Sequence, residues 1–188
     1  MYNHFDDNTI NTKIYKMQNL IIKITQENTN LVADDKIGCF ILPDNCAPDF
    51  AKEFIVAARK NNKLVLVDGE KAVDFYQKYN PDGIILNTVK EAQPQKIIKQ
   101  IKKTLPSAII GVISRNRRHE AMLVSECEPD FIIFKFWRDG LNANKELLDW
   151  YCEFFLIQCA AEIEEEFDYS SLNADFIIIE DVKYKNAC

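Results

Sequence analysis

Three features of the sequence predict an α/β chain folded as a compact (β/α) TIM-type barrel. The first is a series of seven short runs rich in Ile, Val, Leu and Phe, at 36–42, 63–68, 82–87, 108–114, 130–136, 155–161 and 175–181. Each is continuously apolar rather than alternating, the pattern of strands buried on both faces of a parallel sheet. The second is what separates them: amphipathic segments of helical period, so that β and α elements alternate. The third is a weak repeat. The junctions NPDGIIL (80–86), EPDFIIF (128–134) and NADFIII (173–179) each place an Asp, one further residue and then Ile-Ile, with Asp82, Asp130 and Asp175 two β/α units apart. Equivalent helix-to-strand turns at regular intervals fit a barrel better than an open, doubly wound sheet.

Taken in order, the elements begin ambiguously. Residues 8–31 place Ile10, Ile14, Met17, Ile21, Ile24 and Leu31 near helical spacing, which reads as one long helix. The alternative is that NLIIKIT (19–25) is itself the first strand; otherwise that strand is the short MYNHFDD region, or it is missing or distorted. After KIGCFIL, the segment FAKEFIVAARKNN puts Phe50, Phe54, Ile55 and Ala58 on one helical face. KLVLVD is followed by EKAVDFYQKYN, and DGIILN by QPQKIIKQIKKTLP, in which Ile97, Ile98 and Ile101 oppose a lysine face and Pro94 and Pro106 bracket the helix. AIIGVIS runs into the cluster Arg115, Arg117 and Arg118 and a helix carrying His119 on its surface beside Glu120, then into DFIIFKF. The aromatic-rich stretch from Phe134 to Phe155 reads as core packing, and Glu162 to Asp168 as a solvated helix start. After Asp181 only VKYKNAC remains, too little for a final helix. The expected organisation is a single domain: an N-terminal helical segment over 1–35 that belongs to the barrel, the barrel proper over 36–182 and a tail over 183–188.

Composition narrows the function classes. The net charge of −6 argues against a nucleic-acid partner, which would need a basic patch larger than the Arg115–Arg118 cluster. No apolar run approaches the roughly 20 residues of a membrane span, and the N-terminus lacks a signal-peptide pattern, so a cytoplasmic protein is expected. Six cysteines without any Cys-x-x-Cys pair, and only two histidines, speak against structural zinc and for reduced core thiols. A homo-oligomer is compatible with this reading.

One stretch carries a resemblance. Ile110-Gly111-Val112-Ile113-Ser114, then Arg118-His119-Glu120-Ala121-Met122, then Pro129-Asp130-Phe131-Ile132-Ile133-Phe134 follow one another in an order similar to that of the thiamine phosphate synthase and TenI family. Phe155 to Ala161 and Ala174 to Ile177 are similar to its last two strands, so the likeness runs from about Lys36 to Asp181. The resemblance implies a single-domain barrel that joins a pyrimidine diphosphate to a thiazole phosphate, with Mg²⁺ and loss of pyrophosphate. It implies Asp68 as a metal ligand and Ser114 as a donor to a phosphorylated small molecule; beside the resemblance, Arg115 next to Ser114 and Lys135 are expected to add positive charge for that ligand, and no catalytic residue is assigned.

The sequence also departs from that family. Pro43-Asp44-Asn45 replaces a Gln-x-Arg, Val67 an Asn before Asp68, and Asn87-Thr88-Val89-Lys90 the motif with a second metal carboxylate. The glycine cradle for phosphate is Ala161-Glu162-Ile163 followed by Glu164 to Glu166, in a chain with five glycines. Carboxylates there would repel a phosphate, and backbone cradles depend on glycine. The expectation is a phosphate and Mg²⁺ site that has eroded, with synthase activity reduced or lost. The alternative is a non-catalytic small-molecule-binding or protein-interaction barrel.

Overall fold

The structure, a computed structural model, describes residues 20–164 and 169–187. Eight parallel strands close into a barrel in sequence order, and β8 pairs with β1. They are β1 Leu20–Lys23, β2 Ile37–Pro43, β3 Leu64–Asp68, β4 Gly83–Asn87, β5 Ile109–Ile113, β6 Phe131–Phe136, β7 Gln158–Ile163 and β8 Phe176–Glu180. Helices α1 Pro48–Lys60, α2 Ala72–Tyr79, α3 Pro94–Thr104, α4 Arg118–Ser125 and α5 Leu141–Phe154 follow β2 to β6, and α6 Asp181–Ala187 follows β8. A 3₁₀ turn, Asn30–Ala33, stands where a first helix would. No helix among the described residues is long and apolar enough to cross a membrane.

The seven predicted runs are seven of the eight strands, and three expectations need correction. Residues 20–31 are not part of a long helix: Leu20–Lys23 is the first strand, in register with β2 and β8, as the NLIIKIT alternative had it. Residues 8–19 lie outside the described residues. The FLIQCAA run starts its strand later than predicted. Phe155 ends α5 with its ring stacked on Tyr151 (centroids 4.7 Å apart, planes at 6°) and against Trp150, and Leu156 is fully exposed in the turn. The tail beyond Asp181 is the short helix α6, whose Tyr184 packs into the core and bonds Asp34.

Continuously apolar strands are explained by two cores of opposite parity. Ile21, Cys39, Ile41, Leu66, Ile85, Ile113, Phe131, Ile133, Ala160 and Ile178 form one buried cluster, the barrel interior. The alternate residues, Ile22, Phe40, Leu42, Val65, Val67, Ile84, Ile110 and Phe134 among them, pack with Phe54, Ile98, Leu148 and Tyr151 of the surrounding helices. Each strand therefore needs apolar side chains at every position.

The Asp repeat has a physical cause. The carboxylates of Asp82, Asp130 and Asp175 accept the backbone N–H of Val65, Ile110 and Cys159 at 2.8, 2.7 and 2.8 Å. Each of these aspartates also donates its own N–H to the carbonyl of the same residue. The acceptor residue is always second in the preceding odd-numbered strand, so each Asp clamps an odd strand to the even strand that it introduces. The clamps close the N-terminal end of the barrel and leave the C-terminal end to other chemistry.

Candidate functional site

In (β/α) barrels the C-terminal ends of the strands are where ligands and chemistry are found. Here that end is a ring of charge. Lys23 ends β1, Asp68 ends β3 and Glu180 ends β8, while Lys135 and Glu162 stand next to last in β6 and β7. The pleat that buries Ile21, Leu66, Ile133, Ala160 and Ile178 inside the barrel carries the residue two further on toward the same axis, which is why these side chains converge.

The charges are already matched to one another. Lys23 Nζ lies 3.1 Å from Asp68 Oδ2 and 3.0 Å from Glu162 Oε1. Lys135 Nζ lies 3.4 Å from Glu162 Oε2 and 2.6 Å from Glu164 Oε1. The result is one alternating chain, Asp68–Lys23–Glu162–Lys135–Glu164. Burial works against the charge on Lys23, but the Glu162 and Asp68 carboxylates outweigh it and hold its pKa above the ordinary lysine value. Burial likewise opposes the charge on Lys135, and Glu164 with Glu162 raises its pKa despite that. Glu164 is pushed up by burial and pulled down more strongly by Lys135, so that its pKa falls below the usual glutamate value. Lys183, on α6, adds a pair to Glu180 at 3.3 Å and donates to the carbonyls of Ile163 and Glu164.

Lys23, Lys135, Glu162, Glu164 and Glu180 line a polar pocket of about 130 Å³ together with Ile163, Ile178 and Ile179. Ligand pockets for drug-sized molecules are roughly 300–1,000 Å³. The space these residues leave suits only a small polar molecule. Among the described residues, no group of three or more His, Cys, Asp or Glu is arranged to hold a metal ion.

The residues singled out from the sequence separate into two groups. Asp68 and Lys135 are both members of the ring, joined through Lys23 and Glu162. Ser114 and Arg115 are committed to loop architecture. Ser114 is 2 % exposed, its Oγ donates to the Arg115 carbonyl and its N–H to the Ile133 carbonyl. Arg115 donates from Nε to the Val89 carbonyl at 2.6 Å and pairs with Glu120 at 3.2 Å, fastening the loop after β4 to α4. Asn116 continues this scaffold, donating to the Lys135 carbonyl and to Asn144 Oδ1 on α5. Asp44, in the loop after β2, accepts the Lys71 N–H from the loop after β3. Gly69, at φ +144°, leaves room for that carboxylate, which a Cβ would overlap at 2.1 Å.

Sequence reading missed the two residues at the centre of the ring. Lys23 was hidden in an ambiguous helix-or-strand segment. Glu162 is not part of a solvated helix start: it lies within β7 and is 7 % exposed. Residues 165–168 of that acidic run lie outside the described residues. The available signal was a single charge at the end of an apolar run, in LIIK and again in CAAEI.

No protein-family model matches the chain, and no curated protein matches it. Solved structures do. SbnG, a citrate synthase, aligns at 13 % identity with a TM-score of 0.65, over 96 % of this chain and 91 % of that one. A variant of the same synthase aligns at 12 % identity with a TM-score of 0.63, over 96 % and 93 %. The glycerol uptake operon antiterminator regulatory protein from Listeria monocytogenes aligns at 14 % identity with a TM-score of 0.59, over 95 % of each chain. At these identities the likeness establishes the class, a TIM-barrel-like protein, and nothing finer.

Proposed function

We propose that this chain is a divergent barrel of the thiamine phosphate synthase and TenI type that has lost the synthase reaction and keeps its C-terminal mouth as a pocket for a small phosphorylated molecule that also bears a positive charge. The thiamine-type ancestry is supported by the order of sequence pieces from Lys36 to Asp181. The loss of the reaction is supported by one observation above the others: Lys23 occupies the carboxylate that the family would give to Mg²⁺. Asp68 is ion-paired at 3.1 Å, and a metal there would have to displace a lysine held by two carboxylates. The donor set therefore does not fit the metal. Ser114 and Arg115 are likewise spent on the backbone and on Glu120.

The ligand class follows from charge and size. A phosphate can draw on Lys23 and Lys135, while a cationic group on the same molecule answers the surplus of carboxylates among Glu162, Glu164 and Glu180. About 130 Å³ leaves no room for a pyrimidine diphosphate beside a thiazole phosphate. The solved neighbours, a citrate synthase and an antiterminator regulatory protein by name, are consistent with a barrel of this size serving either an enzyme or a regulator. The negative net charge and the five unbridged cysteines among the described residues fit a cytoplasmic protein without a nucleic-acid partner.

The test is calorimetric titration of the full chain with pyrophosphate, thiazole phosphate and the pyrimidine diphosphate, with and without Mg²⁺, beside phosphoethanolamine as a small zwitterionic probe. The expected result is no Mg²⁺-dependent heat from the first three and binding of the last that disappears in Lys135→Ala. Mg²⁺-dependent binding of the family's substrates, lost in Asp68→Ala and Ser114→Ala, would overturn the reading.

A further inference from the structure

Cys152, in the last turn of α5, and Cys159, second in β7, bring their sulfurs to 3.0 Å across the turn at 155–157. That is about 1 Å more than a disulfide bond. The two differ in access: Cys159 is fully buried, whereas Cys152 is partly exposed and its Sγ lies 2.9 Å from the Asn173 carbonyl. Cys39 and Cys127 direct their sulfurs at backbone oxygens instead. The sequence, with its cysteines seven residues apart in an aromatic and apolar run, suggests only core thiols; the pairing is a product of the helix-to-strand turn.

We propose that Cys152 and Cys159 form a reversible thiol–disulfide site whose co-substrate is a small disulfide of the glutathione class, with Cys152 as the attacking sulfur and Cys159 as the resolving one. Cys152 loses its proton and attacks one sulfur of the small disulfide, forming a mixed disulfide and expelling the other half as a thiolate, which takes up a proton. Cys159 then loses its proton and attacks Cys152 Sγ, and the second half leaves and is protonated. The two protein thiols are oxidised by two electrons to one disulfide, and the small disulfide is reduced to two thiols. The local electrostatics run in the same direction: the hydrogen bond from Cys159 lowers the pKa of Cys152, and that bond together with burial keeps Cys159 protonated until it is needed. The bond would fasten α5 to the strand that carries Glu162, and so connect the redox state to the charged ring. Cys159 is also held by the Asp175 clamp, which fixes the resolving residue in place.

The test is to equilibrate the full chain in glutathione buffers of rising oxidised fraction, quench with acid, alkylate and map the peptides. The peptide between Lys145 and Lys183, which contains both residues, is expected to lose two hydrogens without accumulating a glutathione adduct, and to regain them on reduction. Cys159→Ala should instead stop at a stable glutathione adduct on Cys152, and Cys152→Ser should give neither product. Full alkylation of both cysteines at every ratio, an unresolved adduct in the wild-type chain, or a disulfide to a different cysteine would overturn the proposal. Should Cys159→Ala fail to fold, the wild-type map alone decides.

Discussion

The two ends of this barrel are made from the same eight strands and could hardly differ more. At the N-terminal end Leu20, Cys39, Leu64, Leu66, Phe131 and Phe176 line an apolar cavity of about 350 Å³, and the aspartates at the strand entrances are turned to the backbone as clamps. At the C-terminal end lysines and carboxylates close a polar pocket about a third that size. Chemistry follows the same division. Burial and Asp82 push the Cys39 thiol at the apolar end up to about 12, leaving it inert, whereas the lysines of the charged end are kept cationic. The difference teaches that acidic residues in one fold have separate duties: at the entrance of a strand an Asp completes backbone hydrogen bonds, and at its exit a carboxylate answers another side chain's charge.

Breaking the charged end should cost most. Glu162→Ala removes the one carboxylate shared by Lys23 and Lys135 and leaves two half-buried ammonium groups with a partner fewer. Uncoupling a buried pair typically costs about 3–5 kcal/mol, and the partial exposure of both lysines places this case near ~3 kcal/mol. Urea unfolding measures it; a change below ~1 kcal/mol would mean that the ring contributes little. Asp130→Ala tests the other end. It strips a carboxylate from the Ile110 N–H and should cost about 1–3 kcal/mol, the range for orphaning a buried backbone donor. That loss should be insensitive to salt, whereas the loss in Glu162→Ala should shrink in concentrated salt.

The pH dependence sharpens the contrast with a smaller effect. The pKa values of Lys23 and Lys135 are raised above the unfolded value of 10.5, so their contribution is fully present below that pH and is lost as pH rises through the folded values. The pKa of Glu164 is lowered from 4.5, so its contribution is present above that pH and is lost as pH falls through the folded value. Thermal unfolding midpoints should therefore fall in both limbs, and Glu162→Gln should flatten the alkaline one. The smallest effect is expected of Arg115→Ala. Its pair with Glu120 is partly exposed, so the loss should stay under ~1 kcal/mol, and hydrogen exchange should show it as faster opening of the loop around Val89.

How much was legible in the sequence depended on the length of each element. Runs such as IGCFIL and FIIFKF are long enough for their apolar continuity to mark a doubly buried strand. The four residues of LIIK are not: their apolar spacing fits a helix equally well, and only pairing with β2 and β8 decides. Phe155 and Leu156 read as strand because aromatic and branched residues favour strands, yet Phe155 stacks on Tyr151 and meets Trp150 edge-on at the end of a helix, and Leu156 stands exposed in the turn. The Asp repeat was visible as spacing, while its role as a backbone clamp needed the neighbouring strand. The site was legible by half. Asp68 and Lys135 stand where strand ends predict polar groups, but their partners come from β1 and β7, distant in sequence, and no local pattern announces a pairing closed by the barrel itself.

Everything at the charged end turns on Lys23, held between Asp68 and Glu162 at 3.1 and 3.0 Å. A pH titration of the Lys23 side chain by ¹⁵N NMR, in the wild-type chain and in the Asp68→Asn and Glu162→Gln variants, tests this arrangement most directly. Lys23 is expected to titrate above the exposed lysines and to move back toward 10.5 in both variants. A Lys23 that titrates with the exposed lysines, and that neither substitution shifts, would contradict it.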